Sequence, residues 1–242
     1  MLDIIGAMIA GALYAAIAGV LISLAPISAA ARLLASAAAM AWLAVVISLA
    51  SSGLLVPGVT GPVPLSLVIF TALLALLFGS WAFGVRVHQA LLSLPLPALV
   101  ALNVGRIGGV FFLLLYADGR LSAPFAPLAG GGDIITGILA IPLAAMLASP
   151  SEIGRNNGRF WTRFWNAFGT LDLIVAVSLA ALSIPGTPYR LFTEGAGTRV
   201  MTTLPWALVP LFLVPIYLLI HRVIAAKLRQ LPQDITSVAV AT

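Results

Sequence analysis

Residues 96–117 read LPALVALNVGRIGGVFFLLLYA, a run of 22 residues in which every position except Asn103 and Arg106 is apolar, glycine or proline. A helix of that length is about 33 Å long, enough to cross the ~30 Å hydrocarbon core of a bilayer. Outward from it, six more apolar stretches at 4–25, 29–50, 62–84, 133–149, 162–184 and 204–225 are separated by clusters of Pro, Gly, Ser and charge. The expected fold is therefore an all-α polytopic membrane bundle of about seven transmembrane helices over residues 1–228, with 229–242 a short tail.

Composition supports this reading. The chain of 242 residues is 62% hydrophobic and 8% charged, against about 25% charged in a soluble domain. Nineteen Lys, Arg, Asp and Glu side chains cannot form a polar shell around a protein of this size. Cysteine is absent, which excludes disulfides, thiolate nucleophiles and Cys-ligated metal centres. The basic residues are scattered rather than striped, so nucleic acid is not an expected partner. The first apolar stretch follows Met1-Leu2-Asp3 with no basic segment before it, and is read as a retained helix rather than a signal peptide.

Orientation follows from the basic residues. Arg32, Arg86, Arg155, Arg159, Arg163, Arg222, Lys227 and Arg229 fall on one side of the alternating spans, and Arg120, Arg190 and Arg199 on the other. The positive-inside rule then puts the N-terminus outside and the C-terminus in the cytoplasm, as a multi-pass protein of a cell's inner membrane. Trp81 and Trp161 on the inner side, with Tyr116 and Trp206 on the outer, fall where amphipathic rings anchor spans.

Arg106 is the residue most in need of explanation. Ten residues from the start of its span and eleven from the end, it lies beyond the reach of a snorkelling side chain and must face a partner or a cavity within the bundle. Asp172, ten residues into the sixth span, is at matching depth and can pair with it. Asn103 shares the Arg106 face, Asn166 and Thr170 lie one turn apart beside Asp172, and Asp133 enters at the edge of the fifth span. Together they describe a polar seam between helices four, five and six. The loop at 117–132 is read either as a partial re-entrant segment or as an ordered loop closed by Asp133 as a helix N-cap, and the short fifth span with its Pro142 as broken or extended into that loop.

Two sets of small residues suggest close packing: Ala7, Gly11, Ala15 and Gly19 on the first helix, and Gly105 and Gly109 on the fourth. Their partner is another helix of this chain or a second copy, with packing inside the chain the expectation. His88 and His221 fall near span ends at equal depth, where a shared metal or haem would use them. No cofactor is expected. The last span contains no lysine for a retinal Schiff base, and the chain has no H-E-x-x-H, G-x-S-x-G or Walker A motif. No internal repeat is visible, which weighs against inverted-repeat transporters.

Between about residues 100 and 225 the chain resembles an uncharacterised group of bacterial polytopic membrane proteins. The resemblance rests on Arg106-Ile-Gly-Gly and its apolar run, Gly119-Arg120-Leu121 with Pro124-Phe125-Ala126, Ala129-Gly130 with Gly132-Asp133, Asn166 with Gly169 and Asp172, and the stretch from Pro210 to His221. It implies a membrane bundle of about seven helices and no mechanism. Two functions stay open. One is the binding or translocation of a small solute at the seam, for which Arg106 favours an anionic one. The other is an accessory or assembly subunit of a larger membrane complex, in which Arg106 and Asp172 are a structural latch. An intramembrane enzyme or haem protein is the weakest reading, and no catalytic residue is nominated.

Overall fold

A computed structural model describes residues 1–230 of the chain and is all-helical, with no strand among the described residues. Residues 231–242, most of the expected tail, lie outside the described residues. Among the described residues, seven helical stretches are long and apolar enough to cross a membrane: Leu2–Leu24, Ala29–Ser51, Leu65–Phe83, Leu96–Ala117, Phe125–Leu147, Glu152–Leu182 and Val209–Gln230. The chain thus has the architecture of a multi-pass membrane protein.

The first three stretches are uninterrupted helices, α1 (Leu2–Leu24), α2 (Ala29–Ser51) and α3 (Leu65–Phe83). The Ser28 hydroxyl caps α2 by accepting from the Ala31 N–H, as an N-cap should. After Gly84 the short amphipathic α4 (Val85–Ser93) follows. The fourth span is composite: α5 (Leu96–Leu102), a 3-10 segment (Asn103–Gly109) and α6 (Val110–Ala117). The Asn103 amide donates to the Leu99 carbonyl at 3.0 Å, competing with the backbone for that acceptor. With Gly105, Gly108 and Gly109 in the same stretch, the ladder tightens. Residues three apart eclipse one another in a 3-10 turn. Asn103, Arg106 and Gly109 therefore share one face, and all three are buried.

The fifth span takes the extended alternative and corrects the expected start at residue 133. It begins at Phe125, so α7 (Phe125–Leu147) takes up half of the expected loop and continues through Pro142. Asp133 is an interior helical residue and not an N-cap, because the apolar run from Phe125 to Gly132 already winds with it. The sixth span, α8 (Glu152–Leu182), has 31 residues, about 46 Å, so its polar first turns extend past a ~30 Å hydrocarbon core. The last span starts five residues later than expected, with a π segment (Val209–Leu213) leading into α9 (Val214–Gln230). Pro215 has no N–H to offer the Leu211 carbonyl in an α register. The Trp42 indole of α2 donates to that carbonyl instead, at 2.8 Å.

The four later spans form the centre: α7 packs along the whole fourth span and α8, and α8 packs on α9. Helices α3, α4 and α5 complete the surroundings of α9, while α1 lies on α2 and the π segment. α2 buries only Val46.

The small-residue stripes divide. Gly109 faces α7, where an added Cβ would lie 2.5 Å from Asp133 Cβ and 2.8 Å from the Gly130 carbonyl oxygen. On α1 the expectation of packing within the chain is overturned: Ala7, Gly11, Ala15 and Gly19 are exposed, and nothing approaches a Cβ placed at Gly11 or Gly19. The inward face carries Gly6, Ala10, Tyr14 and Ile17 instead: bare backbone at Gly6 admits the Trp206 ring, and Tyr14 packs on Phe212 with ring centroids 4.0 Å apart. Of the four expected aromatic anchors, Tyr116 and Trp161 are exposed, whereas Trp81 and Trp206 turn inward and are buried.

Candidate functional site

The 3-10 segment aims Arg106 between α7, α8 and α9, where the residue is 3% exposed. Its Nε donates to Asp133 Oδ1 at 2.7 Å, and its Nη2 donates to Asp172 Oδ2. Nη1 donates to the Gly169 carbonyl at 3.1 Å and meets His221 Nε2 at 3.0 Å. Arginine has donors only, so His221 Nε2 is the acceptor and the imidazole proton sits on Nδ1. Nδ1–H then donates to Asn166 Oδ1, with 2.9 Å between the nitrogen and the oxygen. The Asn166 amide returns a bond to the His221 carbonyl at 3.2 Å. Trp165 packs on the imidazole with ring centroids 5.3 Å apart, and the Arg106 guanidinium lies 6.0 Å from the centre of the Tyr217 ring.

Glycines make this convergence possible. A Cβ at Gly169 would lie 2.6 Å from His221 Cε1 and 3.0 Å from Arg106 Nη1. A Cβ at Gly132 would overlap the Asp172 carboxylate. Both positions put bare backbone beside the charged groups, so α7 and α8 approach closely enough for one guanidinium to reach both carboxylates.

The structure thus brings together Arg106, Asp172, Asp133 and Asn166 from the expected set. Thr170 donates to the Asn166 carbonyl on its own helix at 2.7 Å. Asn103 bonds Leu99, and its Oδ1 is buried without a hydrogen-bond partner among the described residues. His88 is elsewhere: its Nδ1 meets the Trp81 carbonyl at 3.1 Å and its ring lies against Trp81. His221, placed near a span end by the sequence reading, sits beside the mid-span Arg106 because its helix continues to Gln230. Among the described residues no group of three or more His, Asp and Glu is placed to hold a metal ion.

The Gly169 carbonyl and Tyr217 are the members that sequence reasoning missed, and His221, expected to share a metal or haem with His88, meets Arg106 and Asn166 instead. The available signal was helix length. Extending the last span past Lys227 would have put His221 at depth, and starting the fifth at Pro124 would have done so for Asp133.

Two small cavities adjoin the cluster. One, of about 100 Å³, is walled mainly by apolar residues including Phe70, Phe112, Leu173 and Val214, with Thr202 and Asp133 among its few polar ones. The other, of about 60 Å³, is bordered by Ala10, Leu13, Arg106, Asp133, Trp206 and Tyr217. Asp133 borders both, and its side chain is 17% exposed against 9% for Asp172 and 1% for Arg106. It is the carboxylate of the cluster that borders both cavities.

Residues 62–229 match the family described as a domain of unknown function (DUF8737). The matched region runs from the approach to α3 through nearly all of α9, so it contains every member of the ion cluster and leaves out α1 and α2. Neither a curated protein nor a solved structure matches the chain.

Proposed function

The chain belongs to this family of unknown function, and we propose that it is a membrane protein that binds a small, largely apolar solute bearing a cationic or proton-donating group against Asp133. The observation that carries the reading is that two carboxylates share one guanidinium while one of them, Asp133, lines both cavities. Two aspartates against one arginine leave one negative charge without a protein counterion, and unbalanced charge is costly in a low-dielectric interior. A proton or a positively charged group supplies the balance. The apolar walls suit the rest of such a molecule.

This favours a cation over the anionic solute expected from Arg106 alone. Four of the five guanidinium N–H groups already point at protein acceptors, so the arginine has little left to give a carboxylate ligand. Its part is to hold Asp133 and Asp172 in place. The test is binding of a short alkylammonium and of the carboxylate of equal length to detergent-purified protein, by calorimetry, with Asp133→Asn beside the wild type. The ammonium should bind and the variant should lose it. Binding of the carboxylate in preference would overturn the proposal.

A second reading, a latch within an accessory subunit, is supported by the four elements that Arg106 ties together and by the unpartnered stripe on α1. Under that reading Asp133→Asn alters assembly in mild detergent and leaves no ligand to lose.

A further inference from the structure

The end of the bundle where α7 stops, α8 starts and α9 finishes holds a third cavity, of about 270 Å³. Leu96, Pro97 and Leu147 form its apolar wall, and Arg155, Arg159 and Lys227 line the rest together with Gln230. All three cations are partly buried. Their protein partners are neutral: Arg155 donates to the Ser149 and Pro150 carbonyls at 3.1 and 2.6 Å, Arg159 to Asn156 Oδ1 at 3.3 Å, and Lys227 to the Leu92 carbonyl at 2.5 Å. No carboxylate lies within ion-pair distance of any of them among the described residues; the ion pairs there belong to Arg106 and Arg120. Among the described residues, three positive charges from two helices converge on one concavity with nothing of opposite sign in its lining.

Depth identifies the occupant. Phe160, Trp161 and Phe164 follow Arg159 within about one turn of α8 and point outward, each exposed and stacked edge to face or tilted on its neighbours. Of the three, Trp161 has the amphipathic ring that marks the headgroup level of a bilayer. A cavity one step beyond them lies at the depth of lipid phosphates, and basic pockets between membrane helices recognise anionic headgroups. We infer that Arg155, Arg159 and Lys227 form a binding pocket for the phosphate of an anionic phospholipid. The pocket is independent of the Asp133 site.

The experiment is native mass spectrometry of the full chain with phosphatidylglycerol and, separately, phosphatidylcholine of identical acyl chains. Arg155 also ties the 149–150 turn, so Arg159→Gln and Lys227→Gln are the informative variants, with Arg159→Lys retaining the charge. Phosphatidylglycerol should bind in preference. Each Gln variant should lower its apparent affinity about fivefold, the Lys variant should restore most of it, and Arg86→Gln, an exposed cation on α4 outside the pocket, should change it little. Equal binding of the two lipids, or an Arg86→Gln loss as large as that of Arg159→Gln, would show diffuse surface attraction and overturn the assignment. Displacement of phosphatidylglycerol by an equal concentration of inorganic phosphate would give the pocket to a soluble anion and overturn it equally.

Discussion

Replacing Arg106 with methionine retains much of the side-chain volume and removes the charge and all five donors. The arginine is 3% exposed and bridges Asp133, Asp172, the Gly169 carbonyl and His221. Without it, two carboxylates remain in the interior with no cation, and removing one partner of a buried pair costs about 3–5 kcal/mol. The two neutral contacts add less, since side-chain hydrogen bonds between membrane helices average about 0.6 kcal/mol. Arg106→Met should therefore lose about 4–6 kcal/mol in reversible unfolding by SDS in mixed micelles, followed by circular dichroism. The informative comparison is the triple variant Arg106→Met, Asp133→Asn, Asp172→Asn. It has no buried charge left in the cluster and should regain at least half of that loss, about 2 kcal/mol or more. A loss below about 1 kcal/mol for the single variant, typical of an exposed pair, would refute the reasoning. So would a triple variant no more stable than Arg106→Met.

Three further outcomes are expected. Gly169→Ala should destabilise by about 1–3 kcal/mol because its methyl meets His221 and Arg106, whereas Gly11→Ala, with open space around it, should be neutral or slightly stabilising; the same micelle unfolding compares them. Trp42→Phe should cost about 1–2 kcal/mol by leaving the Leu211 carbonyl without its indole donor, and a thermal midpoint equal to wild type would contradict that bond. Asp3→Ala removes the shared acceptor of Arg120 and Trp206, at 2.9 and 2.7 Å. The Asp3 side chain is half exposed, so global stability should fall by no more than about 1 kcal/mol, while amide exchange in the 204–209 segment speeds up.

Much of the fold was legible because lipid imposes a one-dimensional rule. A chain crossing hydrocarbon must satisfy its backbone within itself, so 22 nearly uninterrupted apolar residues at 96–117 have no alternative to a helix. Arg106 announced a buried partner for the same reason, and Asp172 was identifiable as one because it stands well inside its own run. Asp133 was legible only as a polar residue at a boundary, and His221 only as an interfacial one. Both readings hung on where a helix begins or ends, and the signals in Phe125–Gly132 conflict: Pro127 suits a first helical turn, whereas Gly130, Gly131 and Gly132 read as loop.

The sequence alone, then, determined that the chain is a bundle of seven apolar helices with charge buried in its fourth span. Hydropathy and length depend on residue type and number and on nothing the rest of the chain does. The tertiary structure decided which charges meet. Each residue turns a helix by about 100° and raises it 1.5 Å, so an eight-residue shift in the start of α7 changes both the depth and the surroundings assigned to Asp133. It also decided which small residues are used: glycine permits a close approach at Gly11 as much as at Gly169, but only the placement of α9 and the fourth span against α8 brings a neighbour to the second.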